Sequence, residues 1–371
     1  MSRASHSRSP HPVRRGATLA CVFLGVLVTG AATGSWPEGS ASGADAPAPD
    51  ARPADAEVLV SRSGDRWSTA YSPEEYERLR HTLAGEYVGT GIAVVRTAAG
   101  RIEVSEVHAD SPAERAGVRA GDSLRTIDGV RVDGWAVTDA VARLRGSDEA
   151  AAAGPGSTVR VGLERDGRHW SAEIARARLT AETVTVSRDV PGVTRVRVAS
   201  FTRGSAELLR AAVAAVPAGD GLVLDLRGNA GGLLTEAAGA ASVFLDGGLV
   251  ATYDVHGEQR ALHAEPGGDT ATPLVVLVDG GTMSSAELVT GALQDRGRAV
   301  VVGSRTFGKG TVQMPSTQPD GSVAELTVGH YATPSGRLVD EDGLLPDLLV
   351  GPGEDAADSA VTVLGGLAGS R

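Results

Sequence analysis

The chain has 371 residues, 42% of them hydrophobic and 4% aromatic, which is length enough for two or three domains with real cores. Asp and Glu number 46 against 35 Lys and Arg, and the net charge of -11 argues against a nucleic-acid partner, which needs a basic face to displace phosphate counterions. A single cysteine, Cys21, excludes a disulfide framework and a cysteine-based zinc site, and no cofactor is expected. All the basic residues but one are Arg; the exception is Lys309. Guanidinium keeps its proton, whereas a buried ammonium can lose its own and act as a base, so this one lysine is a candidate for chemistry.

Arg14 and Arg15 precede an apolar run over residues 16–32 that ends in small residues, the pattern of a secretory signal over 1–34. At about 17 residues the run is near the lower limit for a bilayer span, so a cleaved signal and a membrane anchor through 16–32 both stay open. Without 1–34 the chain loses four Arg and carries -15; the expected location is extracytoplasmic, secreted or in the cell envelope. Residues 35–56 are rich in Pro, Ala, Gly and Ser and read as a flexible linker. Within 57–85 one short helix is predicted from Pro73 to about Ala84, with Ser72 as its N-cap and acids in the first turn.

From 86 to 178 short strands alternate with turn signals. Gly91–Arg96 and Ile102–Val107 are predicted to form a hairpin across Ala99-Gly100. Ser111 and Glu114 have capping-box spacing before a stop at Gly117, and the strand after Gly121 ends in an Asp128-Gly129 turn. A helix over Asp139–Arg145 and a strand over Thr158–Arg165 follow. This stretch resembles a PDZ domain through Ser111–Asp122 and Ile127–Gly129. The resemblance implies that Gly89, Thr90, Gly91 and Ile92 form a carboxylate-binding loop, where glycines let backbone N–H groups converge on an anion. A peptide tail would then add a strand to the sheet edge.

From 179 to 350 the pattern changes to buried strands followed by glycine turns and helices. Gly221–Asp225 is such a strand; Gly228 and Gly231-Gly232 break the chain before a helix over Leu233–Ser242. The turn offers backbone donors, but the Walker ending Gly-Lys-Ser/Thr is missing, and an oxyanion hole uses such donors better than a phosphate does. Thr272–Asp279 is a second strand, and Gly280-Gly281 leads to Ser284 at the entry of a helix that runs to Asp295. A serine there serves as an N-cap or as a nucleophile favoured by the helix dipole. A third strand, Arg298–Gly303, precedes Thr306-Phe307-Gly308-Lys309-Gly310, where flanking glycines permit close backbone approach. The arrangement invites a Ser–Lys dyad, provided that burial brings the amine from about 10.4 toward neutrality.

Residues 86–350 resemble the carboxy-terminal processing peptidases, or tail-specific proteases. The resemblance is carried by the PDZ-like module, Asp225–Gly232, Ala286-Glu287-Leu288, Gln294-Asp295 and, above all, Thr306–Gln313. It implies an α/β (α+β) fold: a crotonase/ClpP-like peptidase core, a PDZ-like domain and a short N-terminal helix. It further implies Ser284 as nucleophile, Lys309 as general base, Gln313 orienting the lysine, Asp295 supporting the dyad, and the N–H groups of Gly231 and Ser285 as oxyanion hole. The chain writes Thr282-Met283-Ser284-Ser285-Ala286-Glu287 where the family usually has Ser-Ala-Ser-Ala-Ser-Glu; register to Lys309 and Asp295 selects Ser284 over Ser285. Expected partners are proteins or peptides with free apolar C-termini, and a homo-oligomer stays open. Residues 351–371 read as a Gly/Ala-rich tail.

Other readings fit less well. A PDZ-type binding protein with an inert core leaves Ser284, Lys309 and Gln313 unexplained. An acyl-CoA enzyme on a crotonase-like core conflicts with export. His81, His108, His169, His256, His263 and His330 lack triad spacing, and Asp340-Glu341-Asp342 reads as a solvated turn; no metal is expected.

Overall fold

A computed structural model describes residues 55–369, apart from 98, 147–152, 256, 341 and 352. The expected signal over 1–34 and nearly all of the expected linker lie outside the described residues. Among the described residues no helix is long and apolar enough to cross a membrane.

The N-terminal part holds more than the single helix predicted. α1 (Ala56–Ser63) starts where the linker was expected to end, with Asp55 accepting from the Val58 N–H at its N-cap. β1 (Thr69–Tyr71) follows, then α2 (Pro73–Leu83), which has the predicted Ser72 cap in a full capping box with Glu75. β2 (Glu86–Gly89) leads into a hairpin of β3 (Ile92–Arg96) and β4 (Ile102–Val107), as the alternation predicted. α3 (Pro112–Arg115), β5 (Ser123–Ile127), β6 (Val130–Arg131), α4 (Val137–Arg145), β7 (Thr158–Arg165) and β8 (Arg168–Ala175) complete this unit. Its sheet runs β3-β4-β5-β7-β8 with β6 on β5, and β9 (Ala177–Thr180) returns to pair with β2. Ile102, Val104, Leu124, Ile127, Val161 and Leu163 form its core.

A second six-stranded sheet carries the chemistry. β10 (Val184–Val190) and β11 (Val193–Val198) form an antiparallel edge pair. α5 (Ser205–Ala214) then crosses to β12 (Gly221–Asp225), parallel to β11. α6 (Leu234–Ser242) and the hairpin β13 (Leu249–Val255)–β14 (Glu258–His263) precede β15 (Leu274–Val278). α7 (Ser285–Asp295) connects β15 to the parallel β16 (Val300–Gly303). β12 and β15 are continuous apolar runs because both faces of a parallel sheet are covered. Every residue of β15 is buried, and each such side chain contributes about 2 kcal/mol of transfer free energy.

β17 (Thr311–Thr317) and β18 (Val323–Ala332) form a long hairpin in a separate sheet with β13, β14 and β1. There β1 pairs with β18 in the register Thr69↔Glu325, so the start of the described chain is stitched to its C-terminal part. β19 (Leu348–Leu349) is the outer strand beside β16. The stretch expected as a tail is instead α8 (Ala356–Gly369), which packs on β12, β15 and β16. Ala360 and Leu364, four apart, face the sheet with Val223, Val275 and Leu277; that helical spacing outweighs the small-residue composition.

Candidate active site

The turns that follow β12 and β15 bring Gly231 beside Ser284 and Ser285. After β12, Arg227 folds back on Asp225 with bonds of 2.8 and 2.6 Å. Burial pushes the Asp225 carboxyl up, but the Arg227 hydrogen bonds and charge outweigh it and hold it below its usual value. Asn229, fully buried, donates to Val198 O and accepts the Gly231 N–H at 2.8 Å. Met283 N–H donates to Asn229 O, tying this turn to the loop that ends in Ser284. Two glycines permit the approach. A Cβ on Gly281 would lie 2.9 Å from Gly228 Cα, and one on Gly231 (φ 101°) would lie 3.1 Å from Ser284 Cβ and 3.2 Å from Ser285 N.

Ser284 is fully buried, at φ 55° and ψ -120°, a backbone conformation that costs a non-glycine residue of order 1–3 kcal/mol. Such strain at a strand-to-helix turn lifts a side chain off the helix. Consistently, Ser284 Oγ has no hydrogen-bond partner, so simple N-capping does not account for this serine. Ser285 is different: its hydroxyl donates to Gly232 O at 3.0 Å. The two hydroxyls thus differ in their hydrogen bonding.

A residue given no role from sequence holds the site together. Glu287 is fully buried, and its carboxylate accepts from Ser284 N–H (2.9 Å), Lys309 N–H (2.9 Å), Gly308 N–H (2.8 Å) and Thr306 Oγ1 (2.6 Å). Burial pushes its pKa up, against the pull of these four donors. Its signal was readable: it stands three residues after Ser284, at capping-box spacing. Tyr331, also buried, donates its hydroxyl toward both Ser284 O (2.9 Å) and Lys309 O (3.0 Å).

Lys309 is 1% exposed. Burial pushes its ammonium down, while the carboxylates of Glu325 and Asp65 act in the opposite sense. Burial likewise pushes the Glu325 carboxyl up, against the Lys309 charge. Lys309 Nζ lies 5.4 Å from the centre of the Trp67 ring. Glu325, Asp65 and Trp67 were missed because their place in the site depends on strand pairing across some 250 residues of sequence, which leaves no local pattern.

Three of the expected site residues make other contacts in this structure. Gln313 is buried, but its amide donates to Thr311 Oγ1 (2.6 Å) and Thr327 Oγ1 (3.2 Å) while Oε1 has no partner, so it does not hold Lys309 in this state. Gly231 N–H is engaged by Asn229 in a turn of the kind Asn favours, so of the expected oxyanion pair it is not presented to a ligand. Asp295 lies at the far end of α7, about 15 Å along the axis from Ser284. It binds Ser335 (2.9 and 2.6 Å) and Arg337, and so anchors the helix rather than touching the dyad.

The expected carboxylate loop lies in another sheet. Gly89 ends β2, Thr90 is buried with its carbonyl accepting from Ala113 N–H, and Ile92 opens β3. Gly91 (φ 85°) has a packing reason as well, since a Cβ there would lie 2.2 Å from Ser111 Cβ. His330 pairs with Asp340 at 2.5 Å and not with Ser284.

Comparison with known proteins agrees with this architecture. The family model of peptidase family S41 matches residues 192–350, and that of the PDZ domain residues 80–152. The carboxy-terminal processing protease CtpA of Bacillus subtilis is 30% identical over 295 residues, 78% of this chain; the match spans 62% of the relative's length. The carboxyl-terminal-processing protease of Synechocystis is 32% identical over 79% of this chain and 70% of its own. Among solved structures, the photosystem II D1 C-terminal processing protease superposes with a TM-score of 0.51 at 29% identity, over 84% of this chain and 86% of that one. With a PDZ domain ahead of an S41 core, the chain belongs to the carboxy-terminal processing protease family.

Proposed function

We propose that the protein is an extracytoplasmic serine endopeptidase that captures exposed apolar C-terminal tails and cleaves the chain upstream. Ser284 is the nucleophile and Lys309 the general base. One observation supports this reading: Glu287 holds the main-chain N–H groups of Lys309 and Ser284 on one carboxylate oxygen, and both residues are buried, the serine with a hydroxyl that has no partner.

In the reaction the neutral Lys309 amine takes the Ser284 Oγ proton as oxygen attacks the scissile carbonyl. Ser285 N–H, and Gly231 N–H once it leaves Asn229, meet the developing oxyanion. The Lys309 ammonium then gives its proton to the departing amine, and water releases the acyl-enzyme by the reverse sequence. Gln313 Oε1, a buried acceptor without a partner, is suited to receive the amine when it turns toward Ser284. The loop Gly89–Ile92 would bind the tail carboxylate. Export is supported by Arg14-Arg15 and the apolar run that follows.

The test is a fluorogenic peptide with an apolar free C-terminus, offered beside its C-terminal amide. Cleavage of the first, slowed for the second and absent in Ser284→Ala, is expected. Binding of both without cleavage would leave a peptide-binding protein with an inert core.

A further inference from the structure

Part of the cover over Lys309 comes from the N-terminal segment, far away in sequence. The Trp67 ring centre lies 5.4 Å from Lys309 Nζ and 5.8 Å from the Phe307 ring, whose residue is in the lysine loop. The segment around Trp67 is fixed on both sides. Asp65 Oδ2 accepts from Thr327 Oγ1 at 2.6 Å and from Ser68 Oγ at 2.8 Å, and Thr327 N–H donates to Ser68 Oγ at 3.2 Å. Beyond it, Thr69–Tyr71 pairs with Val323–Glu325. Thr327 Oγ1 also accepts from Gln313, so hydrogen bonds run unbroken from Asp65 to a candidate catalytic residue.

We propose that Asp65–Tyr71 is a wall of the catalytic pocket, in which Trp67 is a positioning residue that keeps water off the Lys309 amine and Asp65 fixes the Thr327–Gln313 side. The inference rests on the reading of Lys309 as base. It makes the N-terminal segment part of the active site and not a spacer before the PDZ domain.

The groups that face the amine are Glu325 from β18 and Asp65 from the turn before β1. Tyr71 lies beside Glu325, and the Arg66 guanidinium lies 4.6 Å from the Trp67 ring centre. Glu287, from α7, meets Lys309 at its main-chain N–H, and Asp340 meets the Gly310 N–H next door. Desolvation favours the neutral amine, whereas both facing carboxylates and the Trp67 ring face favour the cation; burial is the largest influence and sets the net direction. Removing the roof and removing a carboxylate therefore act with opposite sign, which a mere loss of fold cannot imitate.

The experiment compares wild type, Trp67→Ala, Trp67→Phe and Asp65→Asn, using the fluorogenic peptide across pH. Lys309 is the chain's sole lysine, so selectively labelled protein gives a single side-chain resonance that reports its protonation without catalysis. In Trp67→Ala the acid limb of kcat/KM is expected to move to higher pH, lowering neutral activity about tenfold while the alkaline plateau remains. The lysine resonance moves with it, and Trp67→Phe restores both. In Asp65→Asn both move to lower pH. A pH-independent loss in Trp67→Ala with the lysine titration unmoved overturns the inference. Should Trp67→Ala not fold, an unmoved limb and titration in Asp65→Asn overturn it equally. Retained activity in Lys309→Arg, by contrast, refutes the dyad itself and is read separately.

Discussion

The main-chain N–H groups of Ser284 and Lys309 donate to one and the same oxygen, Glu287 Oε2, each at 2.9 Å. The start of α7 and the loop before β17 are thereby held at a fixed separation by a single buried carboxylate. The strained serine and the desolvated lysine are placed by the same atom.

Glu287→Ala is expected to leave four buried donors without an acceptor. Breaking such a cluster costs about 3–5 kcal/mol, so thermal unfolding should move down by several degrees. On the proposed mechanism activity should fall at least about 100-fold through kcat, since Ser284 and Lys309 both lose their placement while the PDZ sheet is untouched. Glu287→Gln, which keeps one good acceptor, should fall between. Calorimetry and steady-state kinetics on the same preparations check this.

Lys309→Met should be inactive and more stable than wild type. The folded-state pKa of Lys309 is depressed, so its contribution to stability is present above the unfolded value of 10.5 and is lost as pH falls through the folded value. At neutral pH wild type has lost part of it by burying an amine that the unfolded chain would protonate. An apolar side chain of similar length removes that penalty, a gain of about 1–3 kcal/mol. The dependence of the melting temperature on pH should flatten below 10.5 in the variant. Lys309→Arg, which fits no better and cannot deprotonate, should be inactive without the gain.

Ser284→Ala and Lys309→Ala should each abolish peptide cleavage, and the double variant should be no slower than either, because the two groups act as one unit. Ser285→Ala should retain measurable turnover, having lost only the bond from its hydroxyl to Gly232 O. A larger loss for Ser285→Ala than for Ser284→Ala would reverse the assignment of the nucleophile.

Gly232→Ala should impair folding as well as catalysis. At φ 140° the added Cβ would lie 2.3 Å from the Phe201 carbonyl oxygen, and main chain cannot yield as a flexible side chain does. A loss of stability of about 2 kcal/mol or more is expected, read by chemical denaturation.

Local patterns carried the parts of this fold whose causes are local. The Ser72–Glu75 box, the hairpin at 92–107 and the apolar runs of β12 and β15 are each decided by neighbours within a few residues. Ser284 and Lys309 were picked out as candidates because a serine after paired glycines and a solitary lysine stand out by type. β1, Trp67 and Glu325 were not, since a three-residue strand acquires meaning only from its pairing with β18. The same holds for Gly231 and Gln313: their types suit catalysis, but the bonds each makes here, to Asn229 and to Thr311 and Thr327, depend on tertiary detail.

The central claim is that Lys309 is an uncharged amine when Ser284 needs a base. With the side chain isotopically labelled, the sole lysine can be titrated directly by NMR in the active protein. A midpoint displaced below 10.5, coinciding with the acid limb of peptide cleavage, is the expected result. A midpoint at or above 10.5 would contradict the account, because the amine would then be an ammonium wherever the enzyme works.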